Sequence, residues 1–151
     1  MVTMVTSTIM SQILVAVDEH PHGEQIVDSA IQLAMSMSAK IFMMYVVTDK
    51  SVPGDYVDEH GDALPEHYYQ DQYLRTVGHL LQRIEKAGIK YEGICGAGDP
   101  QEEILKAAKS MDVSYIVVGT RRFRYLSRLR AIGNVARGVM EHSTVPVLAV
   151  P

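Results

Sequence analysis

The apolar positions of the chain fall into short continuous runs that alternate with segments of helical spacing. Ile13–Val17 and Lys40–Val47 are almost wholly apolar, which is typical of strands covered on both faces of a parallel sheet. Between them, residues from about Glu24 to Met37 place apolar side chains on one face at helical intervals. This order predicts a βαβ unit with a right-handed crossover.

The same alternation continues to the end of the chain. The pattern predicts further helices at about Glu66–Ala87, Gln101–Met111 and Gly133–His142, and further strands at Tyr91–Cys95, Tyr115–Val118 and Thr144–Val150. Asp99 and Pro100 stand where an N-cap and a first helical residue are expected. Strands and helices in strict alternation predict an α/β fold of three layers around a doubly wound, five-stranded parallel sheet.

Two segments depart from this pattern. Residues 1–12 open the chain with Thr, Val, Met and Ser and no charged side chain, and we expect a flexible tail ahead of a domain at residues 13–151. Thr48–Pro65 combines prolines and glycines with acidic residues. Long loops of this composition bury little, so the segment is predicted to be mobile and dispensable for folding.

Composition narrows the class of protein. A chain of 151 residues suits one domain, and a net charge of −4 gives no general electrostatic reason to bind nucleic acid. The single cysteine, Cys95, excludes an intrachain disulfide framework and is expected to be a small buried side chain. No apolar run is long enough to span a membrane and no signal-peptide pattern is present, so we expect a cytoplasmic protein.

The stretch between Gly119 and Gly133 carries the candidate chemistry. A buried strand stops at Gly119, a new helix is predicted to begin at Gly133, and the loop between them holds Arg121, Arg122, Arg124, Arg128 and Arg130. Helix N-terminal amides and arginine side chains both bind anions. Ligands of doubly wound sheets lie beyond the carboxyl ends of the strands where the strand order reverses. Asp18, Gly119 and Gly133 are therefore predicted to converge.

Five motifs in this order resemble a known family. They are Ile-Leu-Val-Ala-Val-Asp from Ile13, Gly-Ala-Gly-Asp-Pro from Gly96, Ile-Val-Val-Gly-Thr from Ile116, Gly-Asn-Val-Ala-Arg from Gly133 and Val-Pro-Val-Leu-Ala-Val-Pro from Val145. Together they resemble the universal stress protein family over residues 13–151. The resemblance implies an adenine-nucleotide alpha-hydrolase-like fold with strand order 3-2-1-4-5, a stress-response function and a homodimer paired through strand five.

Some members of the family bind ATP, and the resemblance carries their ligand contacts onto this chain. ATP or AMP is the expected ligand, with Mg²⁺ only when ATP is bound. Asp18 and the Val46 backbone are placed at the adenosine end, and Gly119, Gly133 and Asn134 nearer the phosphates. The full set of implied ligand-binding residues is Val17, Asp18, Val46, Val118, Gly119, Thr120, Arg122, Gly133, Asn134 and Val135.

The chain departs from the family's phosphate motif in a way that leaves two outcomes open. Gly119 matches the first glycine, but the second is replaced by Arg122, and Gly133 arrives one residue late and is followed by Asn134. Glycine lets backbone amides approach phosphate oxygens, whereas arginine is itself a bidentate phosphate partner. The sequence is compatible with a phosphate site rebuilt from side chains and with a crevice closed by them.

Other interpretations of these residues remain. Asp18 is also suited to cap the following turn, and His20 and His22 are more consistent with solvated turn residues than with a metal site. No catalytic triad, nucleophile elbow or metal motif is present, and slow ATP hydrolysis lacks an evident general base. A second hypothesis is a dimeric interaction module without nucleotide, in which the arginine loop binds an acidic protein partner.

Overall fold

The computed structural model describes residues 10–18, 21–48, 66–120 and 133–151 of the chain. These residues form strands and helices in alternation: β1 (Gln12–Val17), α1 (Gly23–Met37), β2 (Lys40–Val47), α2 (Glu66–Lys86), β3 (Tyr91–Ala97), α3 (Pro100–Ser110), β4 (Tyr115–Gly119), α4 (Asn134–His142) and β5 (Val147–Val150). The predicted order of elements is confirmed. Most of the predicted tail, the acidic loop from residue 49 and the arginine loop lie outside the described residues.

All five strands form one parallel sheet in the order β3-β2-β1-β4-β5. The central strand β1 pairs on one side with β2, where Ile13 lies opposite Ile41, and on the other with β4, where Ile13 lies opposite Tyr115. The chain therefore builds outward from β1 to one edge and then returns to build the other half. This confirms the predicted doubly wound α/β sheet and places its reversal between β1 and β4.

Helices cover both faces of the sheet and so complete three layers. On one face, α1 and α2 pack over alternate strand residues such as Val15, Met43 and Val117. On the other, α3 and α4 pack over Leu14, Phe42 and Ile116. Residues Ile13 to Val17 of β1 are all buried, which explains why the strand has no polar alternation.

Two strand boundaries and one helix cap are explained by local hydrogen bonds. β3 extends two residues beyond the predicted end because its pairing with β2 reaches Ala97, and the Gly98 amide donates to the Val47 carbonyl at 3.0 Å. β5 begins at Val147 rather than Thr144, after a turn in which the Ser143 hydroxyl donates to the Val145 carbonyl at 2.7 Å. The predicted cap is confirmed, since the Asp99 carboxylate accepts from the Glu102 amide at 3.0 Å.

The contact between α1 and α2 was not predicted. The Arg83 guanidinium binds Asp28 through two hydrogen bonds of 3.0 and 2.8 Å and lies 3.6 Å from Glu24. A fork-to-carboxylate contact of this kind fixes orientation as well as distance. It holds the first half of α1 against the last turns of α2.

Tyr73 of α2 links that helix to the outer strands. Its hydroxyl donates to the Met43 carbonyl at 2.9 Å, and burial raises its pKa well above the usual range. Its ring lies over Gly93 so closely that a Cβ at Gly93 would lie 2.7 Å from the Tyr73 hydroxyl oxygen and 2.9 Å from the ring carbon that bears it. Gly93 therefore provides the space in which Tyr73 packs.

Replacing Gly93 by alanine is expected to reduce the free energy of unfolding by about 1–3 kcal/mol, the usual cost of overpacking a core. In a Tyr73→Ala background the same change is expected to cost less than about 0.5 kcal/mol, because the colliding ring is gone. Urea denaturation of the four proteins measures this coupling. Gly78→Ala is the control: nothing lies within 4 Å of a Cβ there, and alanine favours the helix. An equal cost of Gly93→Ala in both backgrounds would contradict the packing account.

Candidate functional site

A crevice lies at the carboxyl edge of the sheet, because the paired strands end at different positions there. The β1–β4 pairing ends at Ala16 and Val118, and the β1–β2 pairing ends at Val17. Both neighbours continue further, β2 to Val47 alongside β3 and β4 to Gly119 alongside β5. The central strand therefore leaves the sheet before its neighbours do. Asp18 follows at this gap, flanked by the ends of β2 and β4.

The end of β4 is shaped by packing against α1. A Cβ on Gly119 would overlap the Cδ1 atom of Ile26, and Gly119 does not have a positive φ. Glycine at this position is therefore explained by the close approach of the Ile26 side chain. A larger residue at this position would require the Ile26 side chain to shift.

Thr120 is tied to the neighbouring strand. Its amide donates to the Val150 carbonyl at 2.7 Å, and its hydroxyl donates to the same oxygen at 3.3 Å. These bonds continue the β4–β5 ladder by one residue. In this conformation both donors of Thr120 are used within the sheet, so the chain leaves β4 with a fixed direction.

The start of α4 has the features of an anion-binding helix end. Gly133 is the N-cap with φ −64° and ψ 156°, and as a glycine it has no side chain of its own to cap the first turn. The first amides of a helix have no intrahelical acceptor and carry the positive end of the helix dipole. Asn134 is exposed, whereas Val135 packs against the core cluster that includes Val118. This packing anchors the helix start on the α3–α4 face of the sheet.

The structure brings six of the ten predicted residues to one edge of the sheet. Val17, Asp18, Val46, Val118, Gly119 and Thr120 all lie at the carboxyl ends of β1, β2 and β4. The side chains of Val17, Val46 and Val118 are buried in the core, so these residues present backbone to the crevice. Asp18 has an exposed side chain. Arg122 lies outside the described residues.

A cleft beside Asp18 was missed in the sequence. It has a volume of about 380 Å³ and lies between the β1–α1 turn and α2, and it is lined by Asp18, Pro21, Gly23, Glu24, Arg75, Thr76, His79 and Leu80. Arg75 is exposed on α2, on the side of the helix that lies opposite the turn carrying Asp18. Only the packing of α2 on α1 shows that these two residues line the same cleft.

Other candidate residues have simpler surroundings. His22 is exposed, and its Nδ1 lies 3.2 Å from the Gln25 side-chain oxygen. Cys95 is exposed rather than buried: β3 is an edge strand of the sheet, and none of its residues is fully buried. Partial desolvation beside α2 raises the pKa of its thiol. Among the described residues no group of His, Cys, Asp or Glu is arranged to hold a metal ion, and no helix is long and apolar enough to cross a membrane.

Fold and crevice together define an α/β protein whose doubly wound sheet opens between its first and fourth strands. The comparison with known families is more specific: residues 10–151 match the model of the universal stress protein family, and the chain belongs to that family. A relative, universal stress protein YxiE of Bacillus subtilis, is 32% identical over 146 residues, covering 93% of this chain and 98% of its own.

Solved structures with the same fold include two that contain a nucleotide. The universal stress protein from Archaeoglobus fulgidus in complex with dAMP aligns with a TM-score of 0.67 and 20% identity, covering 95% of this chain and 99% of its own. A universal stress protein in complex with cAMP aligns with a TM-score of 0.68 and 19% identity, covering 93% of this chain and 96% of its own. At these identities the likeness shows a common fold.

Proposed function

We propose that this universal stress protein binds an adenine nucleotide in the crevice between the carboxyl ends of β1 and β4. The observation that carries the proposal is the early end of β1, which leaves Asp18 between the extended ends of β2 and β4. This is the reversal point at which doubly wound sheets bind ligands. Structural neighbours in complex with dAMP and cAMP support an adenine nucleotide as the ligand class.

The residues at this edge suggest how the two ends of the ligand are held. The exposed Asp18 carboxylate accepts hydrogen bonds from ribose hydroxyls or the adenine amino group. The backbone near Val46 extends beyond the last β1 partner and is suited to contact the base. The start of α4, at Gly133 and Asn134, offers its first amides to the phosphates. Arg122 adds a charged side chain where family members have a glycine.

The role that we propose is nucleotide sensing. The proposed ligand is ATP or AMP, with Mg²⁺ only when ATP is bound. The further proposals are a homodimer through β5 and a cytoplasmic location. In a sensing module, the bound nucleotide alters how that dimer engages other proteins.

Titration calorimetry with AMP and ATP tests this function directly. Purified wild-type protein is expected to bind AMP with a dissociation constant of about 1–100 µM, and EDTA is expected to leave AMP binding unchanged because no metal is needed. Native mass spectrometry of protein purified without added nucleotide provides the companion measurement. The absence of both binding heat and retained nucleotide would contradict the proposal.

A second function, an interaction module without nucleotide, is favoured by two observations. Arg122 replaces a glycine of the phosphate motif, and both donors of Thr120 are used by the Val150 carbonyl. In that case the arginine loop binds an acidic protein partner. The two functions differ in what Arg122→Gly does to nucleotide affinity.

A further inference from the structure

The cleft between the β1–α1 turn and α2 has two walls of different charge. The β1–α1 turn contributes Asp18, the first turn of α1 contributes Glu24, and α2 contributes Arg75 and His79, with Leu80 and Gly23 between them. A Cβ at Gly23 would lie 3.0 Å from the Leu80 side chain, so the two walls are in close contact below the opening. The cleft is therefore a feature of how the two helices pack.

The acidic and basic groups of this cleft differ in whether they already have partners. Glu24 lies 3.6 Å from the Arg83 guanidinium, and Asp18 also takes part in an interaction. Arg75 and His79 have no hydrogen-bond or ion-pair partner anywhere in the described part of the chain. Among the charged groups that line the cleft, the Arg75 guanidinium is therefore the one without a partner among the described residues, and it is available to an anionic ligand.

The remaining lining residues suit a phosphate group. Arg75 offers a fork of N–H donors, which matches two phosphate oxygens, and the Thr76 hydroxyl lies beside it on the same helix. The positive end of the α1 dipole lies at the opposite wall, next to Gly23. A volume of about 380 Å³ admits a phosphate with a small substituent.

From this arrangement we infer that the α1–α2 cleft is a second anion site, which binds inorganic phosphate or a small phosphate monoester through Arg75, Thr76 and His79. This site is distinct from the proposed nucleotide phosphate site at α4. It goes beyond the proposed function and does not depend on it: Asp18 lines both places, but the proposed phosphate contacts, Arg75, Thr76 and His79, are not among the proposed nucleotide contacts.

The test is a titration of ¹⁵N-labelled protein with inorganic phosphate, with sodium chloride adjusted to keep ionic strength constant. Amide signals of Gly23 and Thr76 and the Arg75 Nε signal are expected to shift together, with a dissociation constant of about 1–10 mM. Arg75→Gln is expected to weaken binding at least tenfold, roughly the worth of a charge-assisted bidentate contact. Lys86→Gln, the same loss of charge on the same helix outside the cleft, is expected to change it less than about twofold.

Glu24→Gln gives a prediction of opposite sign. Removing this carboxylate takes a like charge away from the bound anion, so phosphate affinity is expected to rise about threefold. Equal losses for Arg75→Gln and Lys86→Gln, or weaker binding in Glu24→Gln, would overturn the proposal. The absence of phosphate-dependent shifts at the three reporter signals of the wild-type protein would also overturn it. The Arg75 and Glu24 side chains are both exposed, so the two cleft variants are expected to fold.

Addition of AMP tests whether the phosphate site in the cleft is distinct from the nucleotide crevice. Gly133→Val is expected to remove AMP binding but leave phosphate shifts in the cleft intact, and saturating AMP is expected to leave them in place. Failure of wild-type AMP binding would contradict only the proposed function. Complete displacement of phosphate from the cleft by AMP would overturn the inference of a separate site.

Discussion

Replacement of Gly133 by valine is expected to abolish AMP binding, with a loss of affinity of at least about 100-fold. A branched side chain at the N-cap blocks the approach of a phosphate to the first amides of α4. Two lost charge-assisted hydrogen bonds of about 1.5 kcal/mol each account for a change of this size. Gly133 has φ −64° and ψ 156°, an extended conformation that valine adopts readily, so backbone strain is not the cause. Calorimetry with AMP measures the loss.

Gly78→Val provides the matched control. It makes the same chemical change on α2, where a Cβ has nothing within 4 Å, and AMP affinity is expected to stay within about twofold of wild type. Thermal unfolding of both variants checks that each remains folded. Undiminished AMP binding by Gly133→Val would mean that the phosphates do not lie at the start of α4.

Arg122 distinguishes nucleotide binding from the interaction module in the same assay. If its side chain binds phosphate, Arg122→Ala is expected to weaken AMP binding and to reduce its salt dependence, because one screened charge contact is lost. If Arg122 instead closes the crevice, Arg122→Gly is expected to create or strengthen binding. No heat for wild-type protein together with a gain for Arg122→Gly would favour the module without nucleotide.

Replacement of Leu148 by arginine is expected to convert a homodimer into a monomer. β5 forms one edge of the sheet, and its Leu148 side chain is 39% exposed although it stands on the face that α1 covers. An apolar edge strand is a liability unless another chain pairs with it, and antiparallel pairing about a two-fold axis buries it. A charged side chain opposite its own copy opposes that pairing. Sedimentation velocity at about 10 µM distinguishes the two states.

Leu74→Arg is the control for this experiment. Leu74 is 59% exposed and lies on α2, which packs on β2 and β3 in the other half of the sheet. The dimer is expected to persist in that variant. A charged residue at Val147 tests the same edge, although Val147 also packs against the α3–α4 cluster and its substitution disturbs the core as well. A wild-type protein that sediments only as a monomer, or an unchanged dimer in Leu148→Arg, would contradict pairing through β5.

The sequence by itself determined the order of elements, the parallel sheet and its two covered faces. Continuous apolar runs such as Ile13–Val17 arise only where both sides of a strand are buried, and helical spacing between them leaves few alternatives. The Asp99 cap was also predicted, because its hydrogen bond to the Glu102 amide is local in the chain. The candidate residues at the ends of β1, β2 and β4 were placed at one edge because the ends of parallel strands must meet there.

Only the tertiary structure decided which side chains meet across elements. Arg83 contacts Asp28, and Arg75 lies in a cleft with Asp18, because α1 and α2 pack side by side, and no local pattern records that neighbour. Cys95 is exposed on β3, and the place of β3 at the edge of the sheet is a fact of strand order rather than of its own sequence. Gly119 and Gly93 are glycines because Ile26 and Tyr73 occupy the space that a side chain would need. Such contacts depend on distances between segments remote in the chain, so they become visible only once the elements are packed.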